Sequence, residues 1–256
     1  MTTAAAISIG NSTIRFGRLG EGELEDVGSC PAGDPAAVVA AIEPWFAEIE
    51  RGERAVVVAS VNRPAFEALR PMLAERIGGD LVEMEKDLAA PIGRGLDPES
   101  LVGVDRLLAA AGAWDEIKQA CIVIDAGTAV TVDFVDGEGV FQGGAIMPGL
   151  RAMLRTLADS TDLLPDLEFA AIEGAPWGRN TVDAMRRGVH GAVTGGVWKL
   201  VERYALAYGG FPLVVATGGD APTLFQDDEL VSRVVPNLVL KGMALAWKTA
   251  TEDAGS

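Results

Sequence analysis

The chain has 256 residues, enough to bury a sizeable core as one large domain or two modest ones. Hydrophobic residues make up 49%, yet no charge-free run reaches the ~18 residues a bilayer span needs and no basic segment precedes the first apolar stretch, so neither a membrane span nor a secretory leader is expected. A net charge of −16, spread along the chain with no Lys/Arg cluster, suits a solubilising surface and argues against nucleic acid as a partner.

From the N-terminus, apolar alternation predicts strands over 4–9, 12–19 and 23–28, then a helix over 35–51. That helix carries the stripe Val38, Val39, Ile42, Phe46 and Ile49, and Pro44 should kink it. The β-branched run 55–60 reads as a buried strand, followed by a helix over 64–78 and a Pro/Gly-rich loop over 89–103. Leu107, Leu108, Ala111, Trp114 and Ile117 mark a helix from about Val104. The second half opens with strands 121–126, 129–135 and 139–142. Gly143 to Gly149 reads as a turn into a helix, with Pro148 in its first turn. A long helical region over 180–207 is interrupted by Gly188, Gly191, Gly195 and Gly196. A buried strand over 211–216 and a last helix over 236–252 close a mixed α/β chain. Cys30 and Cys121 are far apart and lack metal-ligand spacing, which fits a reducing compartment and a cytoplasmic protein.

Two stretches look like copies of one hairpin. Ile7-Ser8-Ile9-Gly10-Asn11-Ser12-Thr13-Ile14 and Ile124-Asp125-Ala126-Gly127-Thr128-Ala129-Val130-Thr131 each run strand, bend, strand. At one offset Gly10 falls on Gly127 and the turn Gly20-Glu21-Gly22 falls on Gly137-Glu138-Gly139. A glycine with hydroxyl and amide donors lets backbone approach an anion, so two such bends could enclose a nucleotide's phosphates.

Asp125-Ala126-Gly127-Thr128 reads as a cation-plus-phosphate site, and equally as a hairpin whose aspartate caps its turn. Asp105 and Arg106 open a helix, where they could accept a proton and pair with an anion. An acidic first turn that suits the macrodipole is the simpler reading. Asn180-Thr181 reads as a helix cap, and Thr217-Gly218-Gly219 as a plain turn or a loop passing close to a ligand. His190, the single histidine, reads as a packing or surface residue, so no histidine-based nucleophile arrangement can be built. Rossmann and Walker glycine spacings are absent.

Taken together, Ile9-Gly10-Asn11-Ser12, Ser60-Val61-Asn62-Arg63-Pro64, Gly103-Val104-Asp105-Arg106, Asp125-Ala126-Gly127-Thr128-Ala129, Gly143 to Gly149, Asn180-Thr181-Val182-Asp183-Ala184-Met185, Thr217-Gly218-Gly219 and Leu238 to Met243 resemble a type III pantothenate kinase. That family sits in the superfamily of acetate and sugar kinases, heat-shock chaperone ATPases and actin. The resemblance implies two ribonuclease-H-like (actin-like ATPase) domains, here 1–118 and 119–256, with an interdomain cleft, and a homodimer. It implies ATP-dependent phosphorylation of pantothenate, the first step toward coenzyme A, with Mg2+ and a monovalent cation (K+ or NH4+).

Carried over, Asp105 becomes the catalytic base, and Leu96, Gly103, Val104, Arg106 and Thr181 meet the substrate. Ser8, Gly10, Asn11, Ser12, Thr13, Gly127 and Thr128 meet ATP, and Asp125 holds the monovalent cation. Two positions depart from the family's pattern: Ser8 stands where it has an aspartate, and Leu96 where many members have a tyrosine. The first leaves room for a catalytically weakened relative with a binding or regulatory role, the second for a kinase of another small alcohol.

Overall fold

The computed structural model describes residues 3–20 and 23–254, so Glu21 and Gly22 of the expected Gly20-Glu21-Gly22 turn lie outside the described residues. In chain order the elements are β1 (Thr3–Ile9), β2 (Thr13–Gly20), β3 (Glu23–Pro31), α1 (Pro35–Ile42), β4 (Arg54–Ser60), α2 (Arg63–Arg76), β5 (Asp80–Glu83), β6 (Gly93–Arg94) and α3 (Val104–Ile117). They continue as β7 (Cys121–Ala126), β8 (Ala129–Val135), β9 (Val140–Pro148), α4 (Leu150–Asp159), α5 (Thr181–Tyr208), β10 (Leu213–Thr217), α6 (Ala221–Phe225), β11 (Arg233–Val234) and α7 (Leu238–Ala254). Contacts group these into two units, residues 1–116 with 237–256, and residues 117–236.

In the first unit the strand order is β3-β2-β1-β4-β5. β1, β2 and β3 are antiparallel neighbours, while β4 and β5 run parallel to β1. Alternation along the strands sends Ala5, Ile7, Ile9, Ile14, Phe16, Val56 and Val58 into one core with Val38, Val39 and Ile42 of α1 and Phe66, Leu69 and Leu73 of α2. Each helix starts where its sequence says it should. Asp34 accepts from Ala37 N at 3.1 Å and Asn62 from Ala65 N at 3.2 Å, each with a proline in the first turn. The helix expected over 35–51 ends already at Ile42, and Glu43–Phe46 tightens into a 3-10 turn around Pro44, where only a kink was expected.

The other face of this sheet is packed by α7. A side-chain carbon on Gly112 of α3 would sit 2.6 Å from Leu238 O, and one on Gly242 of α7 would sit 2.1 Å from Leu108 O. Only glycine lets two helix backbones approach so closely. These contacts group α7 with residues 1–116, whereas a contiguous division at 118/119 would place it with the second half.

In the second unit the strands run β11-β10-β7-β8-β9, the same order and the same parallel and antiparallel pairing as the first. Strand for strand, β7-β8-β9-β10-β11 repeats β1-β2-β3-β4-β5, so the duplication seen in the sequence extends to whole units. α5 buries Met185, Val189, Val193, Val197 and Val201 against Ile122, Ile124, Val130 and Val132. It runs unbroken through its glycines because this packing outweighs their helix cost of ~1 kcal/mol each.

Two further sequence expectations change. Gly143 to Pro148 is not a turn into a helix but the end of β9, paired to β8 from Phe134↔Gly143 to Ala129↔Pro148. Gly144 is required there, since a side-chain carbon would lie 2.2 Å from Val132 O. The two hairpins also differ in register. The first pairs Ile9 with Ile14 and closes Gly10 N onto Thr13 O, while the second pairs Ala126 with Val130 and closes Gly127 N onto Ala129 O. The second bend is one residue shorter, so a single offset does not hold across it.

Candidate functional site

In each unit the two central parallel strands end beside each other, and loops following such ends form the usual ligand crevice of open α/β sheets. In the first unit these are the ends of β1 and β4. The bend after β1 leaves Asn11 and Ser12 exposed, with Gly10 and Thr13 half-buried. Val61 N donates to Ile9 O at 3.0 Å, and Asn62 Nδ2 donates to Gly10 O at 3.3 Å. Asn62 thus caps α2 and ties the bend to β4 at once. Ser60 and Asn62 had no role assigned from sequence; the signal was an Asn-x-Pro cap directly after a buried strand.

The start of α3 adjoins the same strand end. A side-chain carbon on Gly103 would lie 2.5 Å from Asp105 Oδ1 and 3.7 Å from Val61 Cγ1. The Asp105 carboxylate therefore lies against Gly103, where any side chain would have to displace it. Arg106 N donates to Asp105 Oδ1 at 2.9 Å and to Gly103 O at 3.1 Å. Burial pushes the Asp105 carboxyl above its usual range, outweighing the Arg106 backbone bond and the Arg106 charge. A carboxylate held this way is a better proton acceptor than an exposed one. Val104 is buried under the turn, and Arg106 is half-buried beside it. Leu96 is half-buried in the chain segment between β6 and α3.

The second unit builds its bend more heavily. Asp125, half-buried, is the next-to-last residue of β7, and Thr128 is exposed at the tip. Gly149 N donates to Thr128 O at 3.1 Å, and a side-chain carbon on Gly149 would lie 2.0 Å from Gly127 O. From β10, Asp220 N donates to Ala126 O at 2.9 Å. Gly218, at φ +95°, packs so closely that a side-chain carbon would meet Ala126 O at 2.2 Å and Asp125 Oδ1 at 2.5 Å. The Thr217-Gly218-Gly219 loop thus packs directly against Asp125.

Arg151 and Asp220, an ion pair at 3.7 Å, were not singled out in the sequence. Burial raises the Asp220 carboxyl, and Arg151 partly offsets it. The legible signal was Arg151 itself, a cation in the first turn of α4, where the helix macrodipole disfavours one. Asn180 is a cap as expected: it accepts from Asp183 N and donates to Asp183 Oδ2, both at 2.8 Å, leaving Thr181 exposed at the start of α5. His190 stacks on Phe169, consistent with packing.

No group of three or more His, Cys, Asp or Glu side chains among the described residues is placed to hold a metal ion. A magnesium ion carried on phosphates needs only one or two carboxylates. At the end of β1 the neutral Ser8 does not meet that need, while Asp125 at the end of β7 fits a cation.

The model of the type III pantothenate kinase family matches residues 5–203. The chain belongs to this family. A type III pantothenate kinase from Rhodopirellula baltica is 45% identical over 177 residues, a match covering 66% of this chain and 62% of that protein. The chain thus spans about three fifths of that relative. One from Dehalococcoides mccartyi is 30% identical over 251 residues, covering 95% of this chain and 94% of the relative.

Among solved structures, a conserved Baf family protein from Campylobacter jejuni superposes with a TM-score of 0.58 at 19% identity, covering 98% of this chain and 100% of that one. MreB 5 of Spiroplasma citri, solved bound to AMPPNP, does so at 0.51 and 13% identity, covering 100% and 98%. The fold is that of the actin-like ATPases. No helix among the described residues is long and apolar enough to cross a membrane.

Proposed function

We propose that this chain transfers the terminal phosphoryl group of ATP to the primary hydroxyl of pantothenate, giving 4′-phosphopantothenate and ADP, the first step of coenzyme A synthesis. Family membership supplies the substrate class. The observation that carries the chemistry is the Asp105 carboxylate, raised in basicity by burial and held by Gly103 and Arg106 next to the β4 end and the Gly10 bend.

Asp105 accepts the hydroxyl proton as the pantothenate oxygen bonds to phosphorus and the bond to the ADP oxygen breaks. Arg106 and the backbone of Gly103 and Val104 orient the acceptor, with Leu96 and Thr181 contributing to its recognition. Phosphate oxygens are received by the backbone and hydroxyl donors of Gly10, Asn11, Ser12, Thr13, Gly127 and Thr128. Asp125 holds a monovalent cation, K+ or NH4+, whose charge balances the polyphosphate. A divalent ion, when bound on the phosphates, would supply neutralisation of their charge. The working form is a homodimer, and the cytoplasm is its compartment.

The test is direct. Purified protein with ATP, Mg2+, K+ and pantothenate should form phosphopantothenate, detected by mass spectrometry. Failure to form it while pantothenate and nucleotide still bind would refute the kinase reading and leave a binding protein.

A further inference from the structure

The chain between β5 and β6 closes on itself around one glutamate. Met84 N donates to Val58 O at 2.8 Å, which fastens the start of this segment to β4. Glu85 follows with φ +67°, in the left-handed region that a residue with a side chain adopts only when its surroundings demand it. Glu85 N donates to Leu88 O at 2.7 Å, and the Glu85 carboxylate then reaches forward along the chain. Its Oε1 accepts from Ala90 N and from Arg94 Nη2, both at 2.7 Å, and Ala90 is buried. Glycine or asparagine is the usual occupant of such a backbone position; what holds a glutamate there is this pair of charge-assisted bonds.

An ion pair at the surface contributes little by itself, and the Glu85 and Arg94 side chains are 27% and 38% exposed. What sets this one apart is the span it closes. Glu85 is anchored through Met84 to β4, while Ala90 and Arg94 belong to the outgoing chain that leads to Leu96 and Gly103. The other acids of the turn bond within it: Asp87 Oδ2 accepts from Glu83 N at 2.9 Å, and Glu83 pairs with Lys86 at 2.9 Å. Residues 95–103 hold no helix or strand, with Ser100 N donating to Asp97 O at 3.2 Å. Their path is governed from the two ends, by Gly103 packed on Asp105 and by Arg94 held on Glu85.

We infer that Glu85 is a positioning residue for the acceptor: by holding Ala90 and Arg94 it sets the path of residues 95–103, and through them the affinity for pantothenate. The backbone strain at Glu85 is the cost of aiming its carboxylate at both donors. The inference rests on the reading above in which Leu96 and Gly103 meet the acceptor.

Pantothenate affinity is measured by calorimetry with ADP affinity alongside, and circular dichroism confirms that each variant folds. Glu85→Gly is the informative variant, because glycine accepts φ +67° freely and the carboxylate is lost without added strain. It should bind pantothenate about tenfold more weakly, the scale of a charge-assisted bond, and raise KM for pantothenate more than it lowers kcat. Its ADP affinity should stay within about twofold of wild type. Arg94→Ala should weaken pantothenate binding about threefold, and Glu85→Gln, whose amide oxygen still accepts both bonds, should keep most of the affinity. Lys86→Ala removes a pair inside the same turn and should match wild type. Pantothenate affinity in folded Glu85→Gly within about twofold of wild type, an equal loss in Lys86→Ala, or a loss shared equally by ADP would overturn the role of Glu85 and leave the kinase reading standing. Wild type that binds pantothenate without phosphorylating it would overturn the kinase reading alone, because the affinities still judge Glu85. Wild type that binds no pantothenate would overturn both.

Discussion

Gly218→Ala tests how tightly the second unit's bend is built. The backbone there has φ +95°, a conformation that costs an alanine ~1–2 kcal/mol. Its methyl carbon would meet Ala126 O at 2.2 Å and Asp125 Oδ1 at 2.5 Å. Non-bonded contacts of carbon normally settle near ~3.5 Å, so about 1 Å of overlap must be relieved by moving the backbone, at a typical overpacking cost of ~1–3 kcal/mol. The two effects together predict a loss of ~2–5 kcal/mol, or a drop in Tm of roughly 5–15 °C for a chain of this size. Gly188→Ala is the control, because nothing lies within 4 Å of a side-chain carbon there and the site is a helix interior. It should gain ~0.5–1 kcal/mol. Calorimetric melting of the three proteins decides the matter. A Gly218→Ala variant that melts with wild type, or a Gly188→Ala variant less stable than Gly218→Ala, would refute the close packing of this loop on Asp125.

Further outcomes follow from the first unit. Asn62→Ala should lower the urea midpoint by the loss of a helix cap, ~1 kcal/mol, and weaken ADP binding through the lost bond to Gly10. Asn62→Asp should keep the cap and its stability but not the ADP affinity, and equal ADP affinity in all three proteins would contradict the tie. Because the Asp105 pKa is raised above its usual 3.8, kcat/KM should fall on the acid side with an apparent pKa above that value, measured in steady-state profiles. The same shift has a stability sign: the folded chain holds this proton more tightly than the unfolded one, so Asp105 subtracts stability as pH rises from 3.8 through its folded value. Asp105→Asn should therefore gain stability over wild type across that window, followed by urea melts at a series of pH values. Cys121 is fully buried with its thiol pushed up to about 12, so in native protein a disulfide reagent should label Cys30 first and Cys121 only on unfolding.

What could be read from the sequence was local. The hairpin repeat, the cap at Asn180 and the helix stripe of α3 depend on residues within a few positions of one another. The short polar β5, Asp-Leu-Val-Glu, carries no alternation to speak of and exists because β4 offers it an edge. Gly143 to Pro148 looked like a turn because it is rich in glycine, yet Gly144 serves close strand packing. The one-residue difference between the bends is invisible to alignment by a fixed offset, because it is set by which backbone groups close the turn. Arg151, Asp220 and the packing of α7 come from contacts between distant segments, for which no short pattern exists.

The central claim is that Asp105 takes the proton in phosphoryl transfer to pantothenate. It is tested most directly by measuring phosphopantothenate formation by wild type and Asp105→Asn at saturating ATP and pantothenate, with ADP affinity measured alongside. Loss of a positioned general base should lower kcat by about 10²- to 10⁴-fold while ADP binds as before. Equal kcat values in the two proteins would contradict it.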